Sequence, residues 1–253
     1  MAGKLRGLCC LPPPPAAANA AWFLDVDGTL LELAPRPDDV VVGECLRGLL
    51  RRLSGAAGGA LAIVSGRPIS ALDRLFRPLS LPAAGQHGVE RRGSNGLLAR
   101  NGSPPGLSFL QARQAIVAWS IQRPGVLLED KGHSLAVHYR QAPACRQPLR
   151  DLMETIVAAS SGELLLQAGK MVFEILPVGR DKGVAIAEFM AESPFAGRLP
   201  VFLGDDVTDE SGFAAVNRLG GLAVKVGPGP TCAPWRLPDV PTVREWLALA
   251  AAG

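Results

Sequence analysis

Ala21-Trp22-Phe23-Leu24-Asp25-Val26-Asp27-Gly28-Thr29 opens the part of the chain with a foldable pattern. Four apolar residues followed by acidic and glycine punctuation read as a short buried strand that breaks into a loop. Residues two apart on an extended segment share a face, so Asp25 and Asp27 can project toward one point beyond the strand. Gly28 allows the sharp turn and leaves backbone N–H groups open to an anion.

The same grammar repeats outward from this stretch. Residues 60–64 form a second apolar run that enters Ser65-Gly66-Arg67-Pro68, residues 81–85 a third ending near His87, and residues 200–203 a fourth entering Gly204-Asp205-Asp206. Residues 222–226 supply a fifth. Helical spacing separates them at 40–53, 69–77, 182–191 and 209–219, with a closing helix at 241–251. Apolar strands alternating with helices predict a parallel sheet covered on both faces. The middle differs: helices at 107–122 and 146–159 accompany paired strands at 126–128 with 135–139 and at 163–167 with 171–176. The expected fold class is therefore α/β, a doubly wound, Rossmann-like parallel-sheet core (21–104 and 178–253) with an inserted α+β cap domain (105–177). Residues 1–20 are expected to be a disordered tail.

Composition narrows the function classes. Hydrophobic residues reach 48% and charged ones 19%, enough to bury a core and too apolar for an intrinsically disordered chain. A net charge of +3 with no long basic run argues against a nucleic-acid surface. No apolar run approaches the ~18 residues of a membrane span. The five cysteines are odd in number and carry no Cys-x-x-Cys spacing, which predicts neither a disulfide framework nor a zinc site and suits a reducing cytoplasm. Lys4 and Arg6 precede an apolar Leu8–Leu11 run, but Pro12–Pro15 interrupt it before it reaches signal-peptide length.

Four segments fall just beyond strand ends, where doubly wound folds bind ligands. Asp25 and Asp27 are the first. Ser65 with Arg67 is the second: its hydroxyl suits a phosphoryl oxygen, or equally the cap of the helix after Pro68. Lys182, opening a helix with Gly183, is the third, although a lone lysine there is usually a solvated charge. The fourth is Gly204-Asp205-Asp206-Val207-Thr208-Asp209-Glu210. Acidic side chains this dense repel one another without a counter-charge, and hard oxygen donors point to Mg²⁺. Glu210 is read as serving the next helix N-terminus instead.

In this order the four segments resemble the haloacid dehalogenase superfamily of phosphatases. With Gln86-His87-Gly88-Val89-Glu90, His138-Tyr139-Arg140, Glu174-Ile175, Trp235-Arg236-Leu237 and the Gly-Asp-Asp-x-Thr-Asp-Glu form, the chain from about residue 20 to 250 is similar to bacterial-type trehalose-6-phosphate phosphatases. The resemblance implies a Mg²⁺-dependent hydrolysis of trehalose 6-phosphate, the last step of trehalose biosynthesis, through an aspartyl-phosphate. It implies Asp25 as nucleophile and Asp27 as general acid and base, with Ser65 and Lys182 on the transferring oxygens. The metal set would be Asp25, Asp27 through its carbonyl, Asp205 and Asp206, with Asp209 behind them orienting metal waters or holding Lys182. Thr29, Arg67, His87, Glu129, Lys131, Arg140 and Glu174 are the expected substrate-binding residues. Without the resemblance, Glu129 and Lys131 read as a solvent-facing strand, and His87 and Arg140 as braces between cap and core. No nucleic-acid or membrane partner is expected, a monomer is favoured, and three rivals stay open: another sugar-phosphate or nucleotide phosphatase, a phosphomutase, and a phosphosugar-binding regulator.

Overall fold

The computed structural model describes residues 19–34, 40–100 and 106–252. The expected tail thus lies almost wholly outside the described residues. The first part of the chain runs β1 (Ala20–Leu24), α1 (Glu44–Ala56), β2 (Leu61–Val64), α2 (Ile69–Phe76), β3 (Ala83–Gly85), β4 (Glu90–Arg92) and β5 (Leu98–Arg100). Next come α3 (Leu107–Ile121), β6 (Leu127–Asp130), β7 (Leu135–His138), α4 (Arg146–Ala159), β8 (Leu164–Gly169) and β9 (Val172–Pro177). The chain then returns with α5 (Lys182–Met190), β10 (Leu199–Gly204), α6 (Glu210–Arg218), β11 (Leu222–Val226), β12 (Trp235–Leu237) and α7 (Val240–Ala250).

Every residue of β1 is buried, which is why the strand reads as an unbroken apolar run. It lies inside an eight-stranded sheet of order β12-β11-β10-β1-β2-β3-β4-β5, parallel from β12 to β3. Neighbouring residues of a strand point to opposite faces. Accordingly Trp22 meets Trp246 of α7 edge-on, whereas Phe23 meets Phe189 of α5 and Phe195. Helices therefore cover both faces, with α1 against α7 on one and α5 against α6 on the other. Each fully buried Phe of this cluster contributes about 1.5–3 kcal/mol.

Three short strands were not legible in the sequence. The antiparallel β4 and β5 extend one edge of the sheet, and β12 extends the other. Glu90-Arg91-Arg92 shows no strand alternation because its charges are satisfied by side contacts. Glu90 accepts from the Ile69 N–H, Arg91 lies over the Phe189 ring, and Arg92 pairs with Asp73 and the Leu81 carbonyl.

The insert forms a separate antiparallel sheet of order β6-β7-β9-β8. One face packs Leu135, Val137, Phe173 and Ile175 against Phe109, Ile116, Leu149 and Met153 of α3 and α4. Its other face is set by register. Glu129 pairs with Ala136, Ala136 with Glu174, and Glu174 with Gln167, so these four residues form one row across the sheet. No helix among the described residues is long and apolar enough to cross a membrane.

Candidate active site

The order of the core sheet brings the sequence segments together. β1 lies between β10 and β2, with Leu24 level with both Leu203 and Ile63, so Asp25, Ser65 and Asp205 all leave adjacent strands at one edge. The chain runs outward from β1 to β3 and comes back on the other side at β10, which makes this edge the topological switch point where such sheets bind ligands.

Asp25, Asp205 and Asp209 are buried, and their ligand atoms lie within 4.8 Å of one another. Lys182 stands among them, donating to Asp25 Oδ1 at 2.7 Å and Asp209 Oδ1 at 2.6 Å. Its place depends on α5: Asp181 caps the helix by accepting from the Val184 N–H, so Lys182 is the first helical residue. A Cβ on Gly183 would fall 2.4 Å from the Ser211 carbonyl oxygen, so glycine is what lets α5 approach α6 and Lys182 reach Asp209. Gly28, at φ +83°, leaves room over the loop for Asp205, whose carboxylate oxygen would lie 2.2 Å from any Cβ there.

Burial pushes the Asp25 carboxyl well above its ordinary range; Lys182 opposes this, and Asp209 and Asp205 add to it. Burial also raises Asp205. Lys182 goes up as well, because Asp209 and Asp25 outweigh the effect of burying an ammonium group. A buried oxygen-donor cluster with surplus negative charge is the donor chemistry of a small hard cation, and these residues fit Mg²⁺.

The converging set differs from the expected one. Asp209, expected behind the ligands holding Lys182, does accept from Lys182 and also closes the buried cluster, whereas Asp206 lines the cleft outside that cluster and caps its own turn by accepting from the Val207 N–H. Asp209 also accepts from the Asp205 and Asp206 N–H groups, which fixes that loop. The Asp27 carboxylate faces the same cleft as Asp25 but stands outside the buried cluster, where Arg67 takes both of its oxygens at 2.6 and 2.7 Å. Ser65, 1% exposed, accepts from the Arg67 N–H, which leaves its own proton for a ligand. Thr29 is fully buried and does not line the cavity, so it belongs under the loop and not against a substrate.

Between core and cap lies an open cleft with a cavity volume of about 200 Å³. Its floor is Asp25, Asp27, Ser65, Arg67, Lys182 and Asp205, and its roof the cap row. There Glu174 is the hub, bonded to Lys131 Nζ at 3.0 Å, Ser134 Oγ at 2.6 Å and His87 Nε2 at 3.2 Å. Burial alone would raise the Glu174 carboxyl; Lys131 and His87 overcome it and hold it well below the carboxylate range. His87 comes from the core, with φ +56°, and its ring passes over Gly66, where a Cβ would stand 2.9 Å from Nε2. Glu129 pairs with His138 at 3.1 Å and lies below its usual value, since His138 and Lys131 outweigh burial. Arg140 lines the cleft without a partner among the described residues.

Lys170 was missed by the sequence reading. From the tip of the β8–β9 hairpin it bonds Asp205, placing a cap cation on a core carboxylate. A lysine in a glycine-flanked turn carries no local signal of this, because the contact is made across the cleft. His138 holds Glu129 and was legible only as part of the His-Tyr-Arg motif.

The profile of the trehalose-phosphatase family matches residues 23–241. The chain is 48% identical over 239 residues to the trehalose-6-phosphate phosphatase of Escherichia coli (strain K12), covering 93% of this chain and 88% of that one. It is 44% identical to a probable trehalose-phosphate phosphatase of Sinorhizobium fredii (strain NBRC 101917 / NGR234), covering 92% and 87%. The C-terminal domain of a trehalose-6-phosphate phosphatase from C. albicans superimposes with a TM-score of 0.84 at 22% identity, over 93% of this chain and 92% of that one, a likeness of fold. The chain belongs to the trehalose-phosphatase family.

Proposed function

We propose that this enzyme hydrolyses trehalose 6-phosphate to trehalose and phosphate with Mg²⁺, through a phosphoryl group carried on Asp25. The observation that carries the reading is the union, in one cleft, of Asp25 against Lys182 with a roof of Glu129, Lys131 and Glu174. A phosphate dianion needs cations, and a neutral disaccharide needs fixed hydroxyl readers; the floor offers the first and the roof the second.

Phosphate monoesters are inert enough that enzymes accelerate the slowest of them by up to ~10²¹-fold. Asp25 and Asp205 would hold Mg²⁺, with Asp209 behind them fixing Lys182 and the Asp205 backbone, and the ion when bound supplies neutralisation of the phosphate charge. In the proposed reaction the Asp25 carboxylate attacks phosphorus, forming an Asp25–O–P bond as the bond from phosphorus to the sugar oxygen breaks. Lys182, Ser65 and Arg67 meet the transferring oxygens. Engagement of Arg67 with the phosphate releases Asp27, which donates a proton to the departing sugar oxygen. Asp27 then takes a proton from the water that attacks phosphorus, and phosphate leaves with Asp25 regenerated. The roof closes over the reaction through Lys170, His87 and Glu174, the contacts that join cap to core.

The test is phosphate release from trehalose 6-phosphate, glucose 6-phosphate, sucrose 6-phosphate and a nucleoside monophosphate, each with Mg²⁺ and again with a chelator. The expected result is release confined to trehalose 6-phosphate and lost with chelator. Equal, metal-dependent rates on all four would keep the core chemistry and remove the cap assignment. Transfer of phosphate between sugar hydroxyls without free phosphate would mark a mutase instead.

A further inference from the structure

Lys225 is 3% exposed in the middle of an apolar strand, Leu222-Ala223-Val224-Lys225-Val226, and no step of the proposed reaction uses it. An ammonium group in such a place is retained only where its protons find acceptors. Here all three do: Nζ donates to the carbonyls of Asp205 at 2.7 Å, Val226 at 2.7 Å and Pro228 at 3.2 Å. Arg236, level with Lys225 on the neighbouring strand, takes the alternate carbonyls of the same loop, Gly227 and Gly229. Two like charges side by side on paired strands repel. The arrangement persists because every carbonyl from residue 226 to 229 answers one of them.

The consequence lies at Asp205. Its N–H donates to Asp209 Oδ2 at 2.9 Å and its carbonyl accepts from Lys225 Nζ, so the backbone that aims the Asp205 carboxylate is clamped on both sides. Lys225 is level with Gly204, the residue before Asp205, and strand β11 runs directly beside β10. Arg236 holds the loop, the loop and strand hold Lys225, and Lys225 holds Asp205.

We propose that Lys225 is a positioning residue for the acidic cluster, fixing the Asp205 carboxylate in the geometry that takes the divalent cation. The proposal rests on the Mg²⁺-dependent reading above and adds to it a residue that touches neither substrate nor metal. Partners of this kind, standing behind a metal ligand, typically change metal affinity or activity by about 10–100-fold when removed.

The test uses the full chain with Lys225→Met and Lys225→Gln beside the wild type. Three quantities are read: kcat and KM for trehalose 6-phosphate, the Mg²⁺ concentration giving half the maximal rate, and the rise in Tm on adding Mg²⁺ without substrate. Both variants are expected to raise the Mg²⁺ midpoint and lower kcat by about 10–100-fold with KM nearly unchanged, and to shrink the Mg²⁺-dependent rise in Tm. A variant that melts lower yet keeps the wild-type Mg²⁺ midpoint and Tm rise would overturn the proposal, since that is the signature of a merely structural lysine. Lys225→Gln keeps two donors and supplies the readings if Lys225→Met does not fold. Should the wild type release no phosphate while Mg²⁺ still raises its Tm, the catalytic reading fails, and the melting arm still judges Lys225.

Discussion

Asp25→Asn is expected to release phosphate from trehalose 6-phosphate at least about 10⁴-fold more slowly than the wild type, with an unchanged circular dichroism spectrum. Lys182 occupies Oδ1 of Asp25, which leaves Oδ2 to meet phosphorus. The amide has the same shape but no nucleophilic oxygen anion, so the bond to phosphorus does not form. The fold survives because Lys182 keeps Asp209 as its counter-ion. Burial also opposes the charge on Asp25, so an uncharged isostere costs the metal-free protein little there. A variant retaining a tenth of wild-type turnover would exclude Asp25 as the attacking group.

Glu174→Gln is expected to lower kcat/KM for trehalose 6-phosphate by about 10²–10³-fold while changing hydrolysis of a small aryl phosphate far less. The asymmetry follows from where Glu174 stands. It touches nothing that handles phosphate, and it holds Lys131 and Ser134 in the roof and His87 from the core. Removing its charge leaves Lys131, whose side chain is 9% exposed, without its partner, and breaking a buried pair costs about 3–5 kcal/mol. The pH dependence has a definite sign. The Glu174 carboxyl is held below the ordinary 4.5, so its stabilisation is fully present above that value and is lost as pH falls toward the folded value. The stability gap between wild type and variant, read from melting at a series of pH values, is thus flat from neutral down to about pH 5 and narrows in stronger acid. Equal losses on both substrates would place Glu174 in the phosphate chemistry, and a gap that widens in acid would contradict its ionised state.

The parts of the fold that were legible are those with a strong period or an unbroken apolar run. β1, β2, β10 and β11 are buried on both faces, and α1 carries Leu46, Leu49, Leu50 and Leu53 on one side. What escaped was short and charged. Glu90-Arg91-Arg92 becomes a strand because its side chains find partners on α2, α5 and the chain before β3, contacts that no local pattern announces. The site divides in the same way. Asp25, Ser65, Lys182 and Asp205 stand at strand ends or at a helix start, so spacing alone brings them toward one edge. The place of Asp27 outside the buried cluster was hidden. It depends on Arg67, forty residues away, taking both oxygens in a bidentate pair. That Asp209 and not Asp206 closes the buried cluster was likewise hidden, because both aspartates take part in the same capping box and only their place in the fold separates them. Lys170 and Lys225 illustrate opposite cases. The first is invisible until the cap is folded over the core. The second stands out in the sequence as a charge inside a buried strand, and only the carbonyls around it say why.

The most direct measurement is an acid quench of the wild-type enzyme during turnover of trehalose 6-phosphate, followed by mass analysis of its peptides. The expected result is one phosphoryl group on the peptide containing Asp25, absent from Asp25→Asn and absent when Mg²⁺ is chelated. A phosphoryl group on any other side chain, or phosphate released at full rate with Asp25 never labelled in rapid-quench samples, would contradict the account.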